Sequence, residues 1–253
     1  MTAFVDLPAP DFPRGSSFWA RVTESTFSPF RGDDLEFATL VPDVGDAFLR
    51  VQRVRDGGPR VHVDLHATSV PSAVDEAVAL GARVIDDRGH VIMASPAGLV
   101  FCIVAHQGEA VRPGPVGAES PHLVDQISID VPHDAFVREV AFWADLTGWP
   151  ELAGSRAEFV ALERPATMPL RFLIQRLDAD DGATSARAHL DLACGEHRDA
   201  VARQHVAMGA TVADRTAIWT VMRDPVGMPY CLTLASRDEA SAAPVPAAMI
   251  SRA

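Results

Sequence analysis

The chain has 253 residues, a formal net charge of −12 and a pI of about 5.1. Nucleic-acid-binding proteins usually carry a basic stripe, and this sequence has none, so we expect no nucleic-acid partner. All 22 residues in the lysine-plus-arginine count are arginine, which excludes lysine Schiff-base chemistry and a lysine phosphate site.

The N-terminal residues contain proline and two acidic residues, and they lack the basic start and apolar run of a secretory leader. No apolar stretch approaches membrane-spanning length. The three cysteines, Cys102, Cys194 and Cys231, are odd in number and do not suggest a disulfide framework. We therefore expect a cytoplasmic protein with free thiols and no membrane partner.

The hydrophobic pattern of the first half predicts a strand, a helix and three strands, and then the same order again. Residues 60–67 are the clearest strand, because apolar side chains alternate there with polar ones. The next residues carry apolar side chains at helical spacing from Val70 to Val78, and Gly81 ends that helix. The strands are expected near residues 3–9, 25–30, 35–41, 47–54, 60–67, 82–87, 90–95 and 99–105.

The second half repeats this pattern in the same order. Residues 61–65 (Val-His-Val-Asp-Leu) correspond to residues 188–192 (Ala-His-Leu-Asp-Leu), and the Phe-Trp pair ending at Trp19 corresponds to the pair ending at Trp143. Both halves then reach a Pro-x-Gly turn and a strand that contains a cysteine. Each motif of the first half is separated from its counterpart in the second half by nearly the same number of residues, which indicates that one unit was duplicated.

The repeat predicts an α+β protein with two tandem domains, each a pair of β-α-β-β-β modules. The first domain is expected over residues 1–108 and the second over residues 122–235. Glycine and proline residues mark 109–121 as the linker. The segment 236–253 is rich in alanine, serine and proline, and we expect a loosely ordered tail there.

A duplicated module of this kind, with a Phe-Trp pair in its first helix, resembles the vicinal oxygen chelate superfamily. That superfamily includes glyoxalase I, the extradiol dioxygenases and the bleomycin- and fosfomycin-resistance proteins. The resemblance implies glyoxalase-like domains whose mixed sheets curve into cups, with the helices outside. The motifs similar to the glyoxalase-like subgroup are Gln52-Arg53-Val54, Arg60-Val61-His62-Val63-Asp64-Leu65, Phe101-Cys102, Gln175-Arg176-Leu177, His189-Leu190-Asp191-Leu192, Asp224-Pro225-Val226-Gly227 and Tyr230-Cys231.

The resemblance also implies a divalent metal ion inside the cup, held by His or Gln on the first strand of a module and Glu on its last strand. Cysteines stand here where those glutamates are expected, so the carboxylates that a hard metal ion needs are missing. We expect any metal site to be weak, well under one tightly bound ion per chain, and no lactoylglutathione-forming activity. Soft ligation of zinc by His and Cys stays open, as does a metal-free cup. The candidate metal ligands are His62, Cys102, His189 and Cys231.

The repeated His-x-Asp pairs predict a polar site in each half. The two side chains of a pair share one strand face at a separation of about 6–7 Å. Each pair could act as an acid–base couple around a substrate, or the aspartates could accept hydrogen bonds from Arg60 and Arg187. The candidate substrate-binding residues are His62, Asp64, Gln52, His189, Asp191, Gln175 and Trp219.

The aromatic residues divide into core and cup candidates. We expect Phe18, Trp19, Phe142 and Trp143 to pack each first helix on its sheet. A second group of aromatic residues suggests that the second cup admits a flat molecule. That group is Phe159, Phe172, Trp219 and Tyr230.

The cysteines in the two apolar strands, Cys102 and Cys231, are expected to be inert core thiols. Cys194 lies near a strand end and is the candidate for an exposed thiol.

Two functions from different classes fit these features. The first is an enzyme of the vicinal oxygen chelate type, a lyase, isomerase or dioxygenase that acts on a small oxygenated or aromatic molecule. The second is a sequestering protein of the bleomycin-resistance type, which the missing glutamates favour. Either would bind a small molecule, as a monomer with two pseudo-equivalent domains or as a homodimer.

Overall fold

The computed structural model describes residues 1–87, 90–106, 111–152 and 156–235. The predicted tail lies outside these residues. The elements of the first half are β1 (Thr2–Pro8), α1 (Phe12–Val22), β2 (Thr26–Phe27), β3 (Phe37–Val41), β4 (Leu49–Val54), β5 (Arg60–Ala67), α2 (Val70–Ala79), β6 (Arg83–Asp87), β7 (Val91–Ala94) and β8 (Val100–Ala105).

The second half has the same order, with a short 3-10 turn before each helix. Its elements are β9 (Leu123–Val131), α3 (Phe136–Thr147), β10 (Glu151–Leu152), β11 (Phe159–Leu162), β12 (Arg171–Arg176), β13 (Arg187–Ala193), α4 (Arg198–Ala207), β14 (Thr211–Arg215), β15 (Trp219–Arg223) and β16 (Pro229–Thr233). In the described part of the chain, no helix is long and apolar enough to cross a membrane.

The described strands form two sheets of eight, in the orders β2-β3-β4-β1-β5-β8-β7-β6 and β10-β11-β12-β9-β13-β16-β15-β14. In each sheet the first strands of the two modules pair antiparallel at the centre, and the last strand of each module lies parallel to its first strand. The two orders match position by position. The predicted pairing of β-α-β-β-β modules is confirmed, and His62 and His189 lie on the equivalent strands β5 and β13.

The apolar residues of the central strands face away from the cups. In β5, Val61 and Val63 belong to the buried hydrophobic core, and Leu190 and Leu192 do so in β13. The two central strands contact each other, so the sheets pack back to back around a shared core. Because successive side chains of a strand point to opposite faces, this packing directs the intervening His and Asp residues into the cups.

The two helix tryptophans join the halves of the molecule. Trp19 and Trp143 are fully buried, as predicted. Each also contacts the opposite half: Trp19 packs on Tyr230 of β16 at 5.4 Å between ring centroids, and Trp143 packs on Phe101 of β8 at 5.2 Å. These residues therefore pack each first helix on its own sheet, as expected, and also against the opposite half.

A buried carboxylate fixes each tryptophan in place. The Trp19 indole N–H donates to Asp224 at 3.0 Å, in the Pro-x-Gly turn of the second half. The Trp143 indole donates at 2.8 Å to Glu139 of its own helix, which also accepts from the backbone N–H of Ala97 in the equivalent turn of the first half. Burial raises the pKa of both carboxyls, and their hydrogen bonds oppose that shift. The repeated turns thus bind the helices of the opposite half.

The segment between the halves is attached to the first one. The backbone N–H of Asp46 donates to the Val111 carbonyl at 2.8 Å, and the Val111 N–H donates to the Asp46 carboxylate at 2.7 Å. Val116 and His122 form an isolated antiparallel bridge further along. The described part of the predicted linker therefore has a defined course.

Replacing Trp143 by alanine tests the shared core. The Trp143→Ala variant should lose about 3–5 kcal/mol of unfolding free energy through lost burial and a cavity. Chemical denaturation measures this loss. Val137→Ala, on the 81% exposed position of the same helix, is the matched control and should change little. A loss below about 1 kcal/mol for Trp143→Ala would contradict the role of this residue in joining the halves.

Candidate functional site

The first cup contains a histidine held between two carboxylates. His62 of β5 lies opposite Phe4 of β1, which places Asp6 and Asp64 on either side of the ring. The Nδ1 atom of His62 is 2.9 Å from Oδ2 of Asp6, and its Nε2 atom is 3.6 Å from Oδ1 of Asp64. All three side chains are buried.

The second cup repeats this arrangement. The Nδ1 atom of His189 is 3.3 Å from Oδ2 of Asp130, and its Nε2 atom is 3.3 Å from Oδ1 of Asp191. Cys231 of the neighbouring strand β16 adds its Sγ atom at 3.6 Å from His189 Nε2. In both cups the donor atoms of the histidine, the following aspartate and the cysteine lie within 4.8 Å of one another.

The aspartates of the first strands were not among the predicted site residues. Asp6 and Asp130 lie at the same position of the repeat, in front of a Leu-Pro or Val-Pro pair, and this repetition was the signal that the sequence offered. Arg60 and Arg187 approach these two residues at 3.0 and 3.4 Å. The alternative in which Arg60 and Arg187 bind Asp64 and Asp191 was therefore wrong, because antiparallel pairing places each arginine beside the first-strand aspartate.

Two polar side chains orient Asp191 of the second cup. Gln126 Nε2 donates to Oδ2 of Asp191 at 2.5 Å, and Ser128 Oγ donates to the same oxygen at 2.7 Å. The other oxygen, Oδ1, is the one that faces His189. The equivalent position of Ser128 in the first cup holds Phe4, which stacks on His62 at 4.6 Å between ring centroids.

The histidines carry a proton more readily than free histidine does. Burial alone would lower the pKa of His62, but the Asp6 and Asp64 carboxylates outweigh it and raise the pKa. The same balance raises the pKa of His189 well above its usual value, with Asp191 and Asp130 as the carboxylates. In the absence of a metal ion, the two carboxylates of each cup therefore favour the protonated form of its histidine relative to free histidine.

The three cysteine side chains do not all have the surroundings that the sequence suggested. Cys102 and Cys231 lie in apolar strands, but their side chains face the site, next to Asp64 and His189. Burial, reinforced by a nearby carboxylate, raises the pKa of both. The prediction that Cys194 is the exposed thiol was wrong: it is fully buried and its Sγ contacts the Leu192 carbonyl at 3.4 Å.

An aromatic contact at the mouth of the second cup joins strands from opposite sides of its sheet. Phe159 of β11 and Trp219 of β15 meet edge to face at 5.9 Å between ring centroids, and the Arg156 guanidinium lies 5.5 Å from both rings. Phe172 and Tyr230, which the sequence also suggested for this cup, are fully buried in the core instead. Their strand positions alternate with the cup-facing ones.

The predicted glutamines lie beside the first-strand aspartates. Gln52 of β4 is in register with Asp6, and Gln175 of β12 is in register with Asp130. Both glutamines are half-buried. Gln175 also pairs with Phe159 across the strands. The amide of Gln175 therefore belongs to the wall of the second cup, between the polar cluster and its aromatic mouth.

The donor set of the second cup fits a divalent transition-metal ion. Tetrahedral zinc bonds of about 2.0–2.3 Å imply separations of about 3.4 Å between nitrogen and oxygen and about 3.6 Å between nitrogen and sulfur. The His189 Nε2 distances to Asp191 and Cys231 are 3.3 and 3.6 Å. Metal-binding histidines usually donate their other ring N–H to a carboxylate, and Asp130 occupies that place. The sequence-derived ligand set of His and Cys lacked the aspartate.

The family model of the glyoxalase-like domain matches the chain twice, over residues 2–104 and 126–233. The chain belongs to the glyoxalase-like family. Its two tandem copies have the fold of the vicinal oxygen chelate superfamily. Comparison with the curated proteins finds no match.

Solved structures of this superfamily share the fold at low sequence identity. A Mn(II)-bound glyoxalase from Novosphingobium aromaticivorans is 18% identical, covers 94% of this chain and 83% of its own, and has a TM-score of 0.59. A mutant of 4-hydroxymandelate synthase from Streptomyces coelicolor is 13% identical, with coverages of 91% and 90% and a TM-score of 0.59. Homoprotocatechuate 2,3-dioxygenase from Arthrobacter globiformis is 13% identical. The match covers 92% of this chain and 78% of the dioxygenase chain, with a TM-score of 0.58. At these identities the likeness establishes the fold alone.

Thiol reactivity tests the placement of the cysteines. In the native, metal-free protein we expect slow reaction of all three thiols with a thiol reagent at neutral pH, because burial raises the pKa of each. Cys231, the least buried, should react first. A timed thiol titration, with Cys231→Ser to assign the first event, measures this. A fast native reaction that persists in Cys231→Ser would contradict the burial of Cys102 and Cys194.

Proposed function

We propose that the protein is a metal-dependent enzyme of the vicinal oxygen chelate superfamily, acting on a small oxygenated molecule in the second cup. His189, Asp191 and Cys231 would hold the ion. The observation that carries the proposal is the spacing of these three donors, 3.3 and 3.6 Å from His189 Nε2, together with the Asp130 carboxylate on the opposite ring nitrogen.

The donor types indicate which ions the site prefers. A set of one imidazole, one carboxylate and one thiolate suits zinc or another first-row transition ion better than calcium or magnesium. The expectation of a weak site rested on the absence of carboxylates, and Asp191 supplies one. Such an ion acts as a Lewis acid that polarises adjacent oxygen atoms of a bound molecule.

The residues around these donors hold them in place. With an ion bound, Asp130 would hold the remaining imidazole proton on Nδ1, so that the Nε2 lone pair is available to the ion. Gln126 and Ser128 hold Oδ2 of Asp191 by two hydrogen bonds, which leaves Oδ1 toward His189. Preorganised donors of this kind lower the cost of binding an ion.

The wall of the second cup supports a flat oxygenated substrate. Trp219 and Phe159 provide aromatic faces and edges, and Gln175 provides an amide that can donate or accept a hydrogen bond. These side chains are half-buried, so that they remain partly accessible to a bound molecule. The combination of a polar cluster and aromatic walls is typical of small-molecule sites.

An aromatic stack fills the place beside the histidine of the first cup. Phe4 is buried and stacks on His62, and the Arg50 guanidinium lies 5.4 Å from the centre of the Phe4 ring. Phe4 thus fills the position that the small, polar Ser128 occupies in the second cup. We therefore assign His62, Asp64 and Cys102 mainly to stabilising the first domain, with a weaker affinity for metal. A purely sequestering role gains no specific support from either cup.

Metal titration of the apoprotein tests the assignment. Calorimetry with Zn(II), and absorption spectra with Co(II), should reveal one tight site per chain and thiolate-to-cobalt absorption. His189→Ala and Cys231→Ser should abolish the tight site. Asp130→Asn should lower metal affinity about 10- to 100-fold, because it replaces the anionic acceptor of the Nδ1 proton by a neutral amide.

The controls use residues of the same types outside the cup. Cys194→Ser and His197→Ala should keep the tight site, and His62→Ala should keep it as well. Absence of a tight site in the wild-type protein, or retention of that site in both His189→Ala and Cys231→Ser, would contradict the proposal.

A further inference from the structure

An unmatched residue in the central strand of the second half brings an additional carboxylate next to the site. The pairing of β9 with β13 shifts register at this point: Gln126 pairs with Asp191, but Val124 pairs with Leu192, so Asp125 has no partner of its own. Such a bulge re-aims side chains near functional sites. Asp125 is fully buried, and no described residue donates a well-formed hydrogen bond to either of its carboxylate oxygens.

Three arginines interact with Asp125, one of them through its carboxylate. Arg171 of β12 approaches Oδ2 of Asp125 at 3.3 Å. Arg164 donates to the backbone carbonyls of Asp125, at 3.3 Å, and of Pro169. Arg112 comes from the segment between the halves and also interacts electrostatically with Asp125. Its neighbour Val111 is tied to the first half through Asp46.

The cluster carries more positive than negative charge. Three guanidinium groups face one carboxylate, and burial together with mutual repulsion lowers the pKa of Arg164 to about 10 and lowers that of Arg112. The Arg171 side chain is only 19% exposed, and its Nε atom has no hydrogen-bond partner among the described residues. Partly buried guanidinium groups in excess over carboxylates, one of them with an unused donor, are stabilised by an anion.

The position of the cluster relates it to the proposed metal site. Arg171 is in register with Gln126, the residue that donates to Asp191. The Gln126 side chain therefore links the strand position of Arg171 to the donor set. In the first half, Phe48 precedes β4 at the position equivalent to Arg171, so that half has no corresponding arginine.

We propose that Arg112, Arg164 and Arg171 form an oxyanion subsite at the end of the second cup, which binds a carboxylate or phosphate group of the substrate. This inference deepens the proposed function and rests on it for the role of the site. The planar guanidinium fork matches both kinds of oxyanion. The substrate would then be an anion whose oxygenated part reaches the His189 cluster.

Binding to metal-free protein tests the subsite separately from the metal site. The protein is freed of metal by a chelator and then of the chelator, and calorimetry follows titration with benzoate, neutral benzamide and inorganic phosphate. Benzoate or phosphate should bind and benzamide should not, and the tighter of the two anions identifies the group. Failure of metal binding would leave this measurement unaffected.

Substitutions locate the binding. Arg171→Met should weaken anion binding at least about tenfold, because a charge-assisted hydrogen bond is lost. Asp125→Asn should strengthen it about tenfold or more, because the internal competitor for the arginines is removed. Arg203→Met, at an exposed arginine of α4, is the control and should leave it unchanged.

A double variant tests the proposal if the single variant fails to fold. If Arg171→Met does not fold, because buried Asp125 loses its partner, the Asp125→Asn/Arg171→Met variant removes both charges and should lack the tight binding of Asp125→Asn. The proposal is overturned if neither anion binds. It is also overturned if Asp125→Asn leaves the affinity unchanged, or if the double variant binds as tightly as Asp125→Asn.

Discussion

A buried imidazole between two carboxylates is the interaction on which both cups depend. Each ion-paired histidine joins the two modules of its domain, because one aspartate comes from the first module and the other from the second. Removing one partner of such a buried ion pair lowers the free energy of unfolding by more than the pair itself contributes, because the remaining charge is left buried without a partner. In the second cup this triad also leaves His189 Nε2 facing Asp191 and Cys231, so the same contacts that stabilise the domain arrange the donors for an ion.

The same contact occurs twice between the two domains, once from each half of the repeat. The tryptophan of each first helix packs on the opposite half, and a buried carboxylate accepts its indole N–H in both places. The carboxylate comes from the turn in one case, as Asp224, and from the helix in the other, as Glu139. The chain thus kept the interaction while changing the residue that provides it. A stable back-to-back core leaves the cup faces free to differ, and they do: Phe4 fills one cup where Ser128 keeps the other polar.

The order of elements, the domain repeat and the equivalence of His62 and His189 could be predicted, because they follow from local alternation and from spacing along the chain. Asp6 and Asp130 could not be assigned to the site, since their contact with the histidines depends on the register between strands more than fifty residues apart. The face of Tyr230 was misjudged for a related reason: composition suggests an aromatic cup, but only strand parity decides which ring faces it. The bulge at Asp125 has no local sequence signal.

The central claim is that the second cup holds a transition-metal ion through His189, Asp191 and Cys231. Anomalous diffraction at the zinc absorption edge, from crystals grown with zinc, measures this most directly. We predict a strong peak in the second cup, within bonding distance of His189 Nε2 and Cys231 Sγ, with the first cup empty or weaker. The absence of a peak in the second cup, or a peak bound by other residues while His189 stays paired with both aspartates, would contradict it.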